Sequence, residues 1–182
     1  MAKYNTYIQQ LHFDGTTYMK GSIVDLLDKF KLVAMDFPFK KNPKPKDLPT
    51  RDWAGSVGVD MYVPDQIPMK EYEIEVTFLY VGTELSIRTD ISNFIDFIYG
   101  RSKGAIADIV KSGRLAVYNE YTGMGRKDIV VSHVEPDLFE VSDDPDAIAK
   151  FNVKFMVYDP TTEVTATYGT YNGVERLTGL NF

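Results

Sequence analysis

The carboxylates of Glu71, Glu73 and Glu75 come closest to a chemical motif in this chain, because they repeat at every second position. Side chains two residues apart on a strand project from the same face. Hydrolysis of a glycosidic bond needs two carboxylates on opposite sides of a cleft, and the sequence identifies no opposing acid. A charged outer face, a surface for basic residues of a neighbouring subunit and a paired-acid hydrolase are therefore the three interpretations of this row.

Other reactive side chains are scattered. His12 and His133 lie in different predicted strands, and a metal site needs a cluster of ligands. The acidic loop 143–146 lacks the spacing of a calcium loop. The chain has no cysteine and no Gly-x-Ser-x-Gly motif, which excludes thiol chemistry and the common serine nucleophile elbow. We expect no metal, no cofactor and no catalytic residue, and hence a protein that is not an enzyme.

A proline-rich basic segment is predicted to form a long exposed loop over residues 38–56, because closely spaced prolines disfavour strand pairing. Its basic side chains are Lys40, Lys41, Lys44 and Lys46. A solvated loop, a contact with a partner protein, and nucleic-acid binding with Phe37, Phe39 and Trp53 as stacking rings are the alternatives. The net charge of -6 disfavours general binding to phosphate backbones.

Aromatic side chains suggest one further binding function. Trp53 and the tail residues Tyr168 and Tyr171 could stack on the rings of a polysaccharide, as in a carbohydrate-binding β-sandwich module. The interpretation depends on these rings being exposed together, which the sequence alone does not show.

The strongest secondary-structure signal is an alternating strand over residues 71–81, which places Tyr72, Ile74, Val76, Phe78 and Tyr80 on one buried face. A sheet with one face exposed to solvent is usually antiparallel. The pattern that follows predicts a short helix over Ile91 to Tyr99, capped by Thr89 or Asp90 and ended by Gly100. A second pattern predicts a short helix from Ser22 to Phe30.

The remaining strand signals are spread over the whole chain. They are Lys3–Leu11 and Thr17–Lys20 around the turn Asp14–Gly15, Lys31–Phe37, Val57–Val63, Ala105–Val110, Leu115–Tyr121, Asp128–Val134, Phe139–Val141 and Phe151–Val157. We predict a mainly β (α+β) fold, an antiparallel β-sandwich or partly closed barrel with one packed short α-helix. Residues 1–160 would form this domain, and residues 161–182 a C-terminal arm or an extra hairpin.

The chain carries no apolar run of the roughly 20 residues that a membrane-spanning helix needs. Its first residues also lack the apolar core of a signal peptide. From these two observations we expect a soluble protein that is made in the cytoplasm and does not contact a membrane.

Between Ile23 and Pro160 the order of elements resembles phage distal tail proteins. The segment Pro68–Phe78 is similar to the strand that opens the central part of that family, and the predicted helix Ile91–Tyr99 sits where the family has its packing helix. Gly113–Tyr121 and Val153–Pro160 resemble its next hairpin and its closing strand. Tail tube subunits are similar to the same pattern, so a tube subunit remains an alternative.

The resemblance implies a structural virion protein of a siphophage or prophage. It would form an oligomeric, hexameric ring at the distal tail or baseplate, joining the tail tube to the tip, after assembly in the cytoplasm of the host. Its partners would be further copies of itself and other tail proteins such as tube and hub, with DNA only as cargo passing through an acidic lumen. A carrier domain, which many family members have, is not expected after residue 182.

The candidate subunit or partner contacts lie in the basic loop, on the glutamate row and in the aromatic tail. They are Lys40, Lys41, Lys44, Lys46, Trp53, Glu71, Glu73, Glu75, Tyr168 and Tyr171.

Overall fold

A computed structural model describes residues 5–52, 54, 57–101, 111–135, 140–141 and 148–182. These residues form the following strands and helices in chain order: β1 Thr6–Phe13, β2 Tyr18–Asp25, α1 Leu26–Phe30, β3 Leu32–Ala34, β4 Thr50–Asp52, β5 Val59–Met61, β6 Tyr72–Tyr80, α2 Ile87–Ile98, β7 Arg114–Asn119, β8 Met124–Val134, β9 Glu140–Val141, β10 Ala149–Val157, β11 Thr165–Tyr171 and β12 Val174–Asn181.

One large sheet organises the molecule. Its strands follow the order β2-β1-β7-β8-β10-β6-β3, and the short β9 pairs with β10 away from this path. Every pairing is antiparallel, and β6 and β10 match along their full length from Tyr72↔Val157 to Tyr80↔Ala149. The described strands do not close into a barrel, because β2 and β3 remain at opposite ends of the sheet.

The main core lies on one face of this sheet, under the two helices. Alternation in β6 and β10 directs their apolar side chains to this face, as the sequence pattern predicts. Phe78 stands at its centre, with its ring 5.1 Å from that of Phe94 in α2 and 5.6 Å from that of Phe151 in β10. Gln10 ties the helix to the sheet through a 2.6 Å hydrogen bond from its Nε2 to the carbonyl of Phe97.

The two helices begin differently: Asp25 caps α1 with its side chain, whereas α2 has no side-chain capping bond. Asp25 ends β2 and caps α1, since its Oδ1 accepts from the backbone N–H of Leu27 at 2.9 Å. The N-cap of α2 is Ser86, and the helix ends before Gly100, which has a φ of 69°. The predicted caps were therefore wrong at both N-termini: Ser22 lies within β2, and Thr89 and Asp90 lie inside α2.

The second core covers the other face of the sheet at its β1, β2 and β7 end. Residues after 161 form the hairpin β11–β12, which packs on this face. The buried residues of this second core are Leu11, Ala116, Val164 and Leu180. The backbone N–H of Val164 bonds to the carbonyl of Gly125 at 3.1 Å and fixes the approach of the hairpin.

A small ribbon of two strands, β4 and β5, stands apart from the large sheet. Thr50 pairs with Met61 and Asp52 with Val59, and neither strand joins a third described strand. The sequence predicted an exposed loop over 38–56; three of its residues instead enter this ribbon.

The predicted fold class is confirmed: the chain is mainly β, with antiparallel sheets packed as a sandwich and a short packed helix. Besides the packed helix α2, the second predicted helix is present as α1, which begins at Leu26 and not near Ser22 because Asp25 provides its cap. The strand predicted over Ala105–Val110 lies outside the described residues.

In the described part of the chain, no helix combines the length and the hydropathy that crossing a membrane requires.

Candidate assembly surfaces

The ribbon of β4 and β5 exposes a run of apolar side chains in and after β5. Val59 and Met61 are on one face of β5, and they expose 58% and 56% of their surface. Tyr62 and Val63 continue the exposed run. A two-stranded ribbon is marginally stable by itself in water, and contiguous exposed apolar side chains mark interaction sites. The geometry suits a ribbon that another surface covers.

The base of the ribbon is anchored beside the start of β6. The backbone N–H of Lys70 donates to the carbonyl of Lys44 at 2.7 Å, and that of Lys46 donates to the carbonyl of Pro68 at 2.8 Å. The ammonium of Lys46 also lies 3.8 Å from a carboxylate oxygen of Glu71. Because both ends of the segment are tied here, the ribbon projects from a defined point.

All four predicted lysines are on the surface. The ammonium of Lys40 lies 4.9 Å from the centroid of the Tyr72 ring, and Lys46 pairs with Glu71. Lys41 and Lys44 are exposed and have no ion pair within the part of the chain that the structure describes. The base of the ribbon is thus a cationic surface with two unpaired charges.

The predicted glutamate row lies on the face of the sheet that the helices leave open. Glu73 and Glu75 are exposed, and their β6 neighbours Tyr72, Ile74 and Val76 are buried. Glu73 Oε2 accepts from the Ser132 hydroxyl at 2.8 Å, and Glu75 Oε1 accepts from the Asn152 amide at 2.9 Å. The two carboxylates project side by side from one strand, so they do not oppose each other across a cleft.

Tyr168 holds the C-terminal hairpin against the sheet. Its hydroxyl donates to Glu120 Oε1 at 3.0 Å, and the same carboxylate accepts from the Tyr7 hydroxyl and the backbone N–H of Asn5. Burial raises the pKa of Tyr168, and the bond to Glu120 raises it further. Burial likewise raises the pKa of Tyr7 to about 12. Both phenols therefore remain neutral donors, and Glu120 connects three elements.

A buried arginine secures the segment that leads into the ribbon. Arg126 is 2% exposed, and its guanidinium donates to the carbonyls of Gly125 and Lys40. Its Nε has no hydrogen-bond partner within the described residues. Phe37 and Phe39, which are stacked with centroids 5.5 Å apart, fill the core beside this segment.

Sequence reasoning missed Glu120 and Arg126. A bulge between β7 and β8, with Asp128 at a φ of 54°, shifts the alternation and turns Arg126 towards the core. No local pattern marks the burial of Arg126, because it depends on the register between β7 and β8.

Several predicted residues cannot be placed. Trp53 and the acidic loop 143–146 lie outside the described residues, and of Tyr171 only the backbone in β11 is described. His12 and His133 are exposed on separate strands. In the described part of the chain no group of three or more acidic or histidine side chains is arranged to hold a metal ion.

Comparison with known proteins yields one structural likeness. No protein-family model matches the chain, and no curated protein does. The crystal structure of SPP1 Dit (gp 19.1), described as a paradigm of the hub adsorption apparatus in phages that infect Gram-positive bacteria, is similar over 90% of this chain, with 13% sequence identity and a TM-score of 0.46. The chain spans 58% of the length of that protein. A likeness this weak supports no conclusion about function.

Proposed function

We propose that this protein is a structural component of a phage or prophage tail. It forms an oligomeric ring at the distal tail, which joins the tail tube to the tip. The observation that carries the proposal is the apolar run Val59, Met61, Tyr62 and Val63, which the β4–β5 ribbon exposes from a base beside the start of β6. The sequence resemblance between Ile23 and Pro160 supplies the tail context.

The exposed surfaces suit assembly of identical copies. The ribbon and the glutamate face are different surfaces of one chain, so a contact between them is head-to-tail and closes into a ring when the rotation permits. The cationic base around Lys41 and Lys44 favours an acidic neighbour, and Glu73 and Glu75 provide acidic side chains. Each copy would thus carry both halves of one interface.

The acidic composition of the chain also suits a lumen. Carboxylates along the inner wall repel the phosphates of DNA, so DNA would pass as cargo without binding. The formal net charge of -6 fits this arrangement. The proposal assigns no reaction to the protein and places it in the virion tail, with tube and hub proteins as further partners.

Carbohydrate binding has weaker support. The hydroxyl of Tyr168 is engaged by Glu120, and this side chain fastens the hairpin to the sheet. Because the Tyr168 side chain is held by this bond, its aromatic ring is not free to turn and stack on a sugar.

The test is the mass of the purified protein by light scattering over a range of concentrations, with negative-stain imaging of any large species. We expect a closed ring with a central hole. A monomer at every concentration, or an open filament, would contradict the proposal.

A matched pair of variants probes the role of the ribbon. The double change Val59→Ser and Met61→Ser alters only exposed side chains and should abolish the ring. Leu85→Ser, at a site that is 97% exposed in the turn before α2, should leave the ring intact. Equal loss of rings in both variants would show that the ribbon has no specific part in assembly.

A further inference from the structure

The two sides of β6 are paired unequally. On one side β10 covers the strand from Tyr72 to Tyr80, whereas on the other side β3 covers only Phe78 to Tyr80. The backbone N–H of Met35 donates to the carbonyl of Thr77 at 2.9 Å, and the next backbone bonds, between Lys44 or Lys46 and residues 68–70, come before the strand begins. Among the described residues, the stretch from Glu73 to Glu75 therefore has no strand on this side.

The direction of the free backbone groups follows from the neighbouring bonds. Val81 donates to the carbonyl of Lys31, and Thr77 accepts from Met35, so the odd-numbered residues of β6 direct their N–H and C=O towards β3. Glu73 and Glu75 are also odd-numbered, so their backbone N–H and C=O groups point to the same side, but β3 ends before it reaches them. Within the described residues their backbone groups have no partner, and both residues are exposed.

The side chains at this edge favour a basic neighbour. Glu73 and Glu75 accept hydrogen bonds from Ser132 and Asn152, but no cation of the described residues lies within 4.0 Å of either carboxylate. Lys154, which is opposite Glu75 on β10, pairs with Glu135 instead. An extended segment with basic side chains would satisfy both the backbone groups and the charges.

We propose that this edge of β6 takes the β4–β5 ribbon of a second copy as an added strand. The inference rests on the proposed function and names the contact that builds the ring. Each ribbon strand pairs only with the other among the described strands, and its three residues match the span of Glu73 to Glu75. An added strand completes the open ladder of β6 and covers side chains of the ribbon.

Charge complementarity favours the ribbon as the occupant. Residues 40–52, which lead into β4 and include it, carry five basic side chains and two acidic side chains. The start of β6 carries Glu71, Glu73 and Glu75, of which only Glu71 has a described cation partner. Met35, which is 60% exposed at the same edge, provides an apolar contact for the ribbon.

The first test removes the edge donor and keeps the fold. The N–H of Glu75 points away from β10, so Glu75→Pro leaves the β6–β10 ladder intact and blocks the edge. Glu75→Ala is the matched control, because it removes the same carboxylate and keeps the N–H. We expect Glu75→Pro to weaken assembly by roughly tenfold or more relative to Glu75→Ala, from the lost hydrogen bonds and the steric block.

The second test does not depend on how well the proline variant folds. The chain has no cysteine, so single-cysteine variants cross-link only where they are placed. Glu73→Cys protein is mixed under mild oxidation with Arg51→Cys or Asp52→Cys protein carrying a mass tag. Adjacent ribbon residues face opposite ways, so one of the two should form the mixed disulfide. Leu85→Cys protein replaces the ribbon variant as the control.

The outcomes separate the inference from the proposed function. A mixed disulfide well above the Leu85→Cys control, together with weaker assembly of Glu75→Pro, supports the ribbon-to-edge contact. If Glu75→Pro still forms rings and the mixed disulfide is no stronger than in the Leu85→Cys control, the inference is overturned and the proposed function is not. The glutamates would then only protect the edge of β6. A parent chain that never assembles overturns the proposed function and the inference with it.

Discussion

The hydroxyl of Tyr168 in β11 donates a 3.0 Å hydrogen bond to Oε1 of Glu120, which directly follows β7. The two residues are 48 positions apart in the chain. This bond joins the C-terminal hairpin to the end of the interior strand β7, next to the second core. The hairpin therefore depends on a polar contact as well as on the burial of Val164 and Leu180.

Replacing Tyr168 by Phe should loosen the hairpin. The change removes one hydrogen bond to a carboxylate and keeps the ring, so the free energy of unfolding should fall by about 1 kcal/mol. Hydrogen exchange of β11 and β12 should rise more than that of β6. Tyr158→Phe is the control, because Tyr158 is 59% exposed and its hydroxyl makes no hydrogen bond within the described residues. Equal effects of the two variants would argue against the contact.

Alkaline pH should destabilise the protein through Tyr7. Burial is the main cause that raises the pKa of Tyr7 from 10.0 to about 12, and the Glu120 carboxylate adds to it. A raised pKa in the folded state means that this stabilisation is complete below pH 10 and is lost as the pH rises through about 12. The urea midpoint should fall over this interval, and it should fall less steeply in Tyr7→Phe. An identical slope in the two proteins would contradict the assignment.

Gly82 should not tolerate a side chain. A Cβ at this position would overlap the hydroxyl and Cζ of Tyr80, whose ring is fully buried and whose hydroxyl donates to Asp90 at 2.8 Å. Because the ring cannot move without breaking this bond, Gly82→Ala should cost about 1–3 kcal/mol of unfolding free energy. In the control Gly179→Ala the nearest atom lies at an ordinary 3.9 Å, so that variant should be nearly neutral. Chemical denaturation of both variants provides the comparison.

Asp25 should be replaceable by Asn but not by Ala. Its Oδ1 accepts from the N–H groups of Leu27 and Asp28, and burial raises the pKa of this carboxyl group. The amide of Asn keeps the acceptor without the charge that burial disfavours, so Asp25→Asn should retain stability. Asp25→Ala should lose about 0.5–2 kcal/mol, the usual effect of removing a helix cap. Equal losses in urea titrations would show that the charge of Asp25 matters more than its capping bond.

The sequence pattern predicted correctly those elements in which burial follows the local spacing of apolar residues. Strand β6 follows the predicted alternation residue by residue from Tyr72 to Val76, because burial on one face of a sheet imposes a period of two. The apolar pattern of the helix predicts a stripe of Ile91, Phe94, Ile95 and Ile98. In α2 three of these are buried, Ile95 is half-buried, and Phe97 joins the buried face. For these two elements the spacing of apolar residues was sufficient to predict the type of element and most of its buried face.

Elsewhere long-range pairing overrode the local signal. Ser22 is a good helix cap by type, yet Ile23 and Val24 pair with β1, which extends β2 through Ser22 and moves the cap to Asp25. Arg126 is charged, yet a bulge in β8 turns it into the core. Neither outcome can be read from residue type, because each depends on the register of a distant strand.

The sequence by itself determined the mainly β class, the alternating strand β6, the packed helix and the acidic, cysteine-free composition, since these depend on local periodicity and residue counts. Only the tertiary structure decided that the tail docks as a hairpin, that β4 and β5 stand free as a ribbon and that no described strand lies beside Glu73 to Glu75 on one side of β6. These features depend on which strands meet, and strand pairing is a property of residues far apart in the chain.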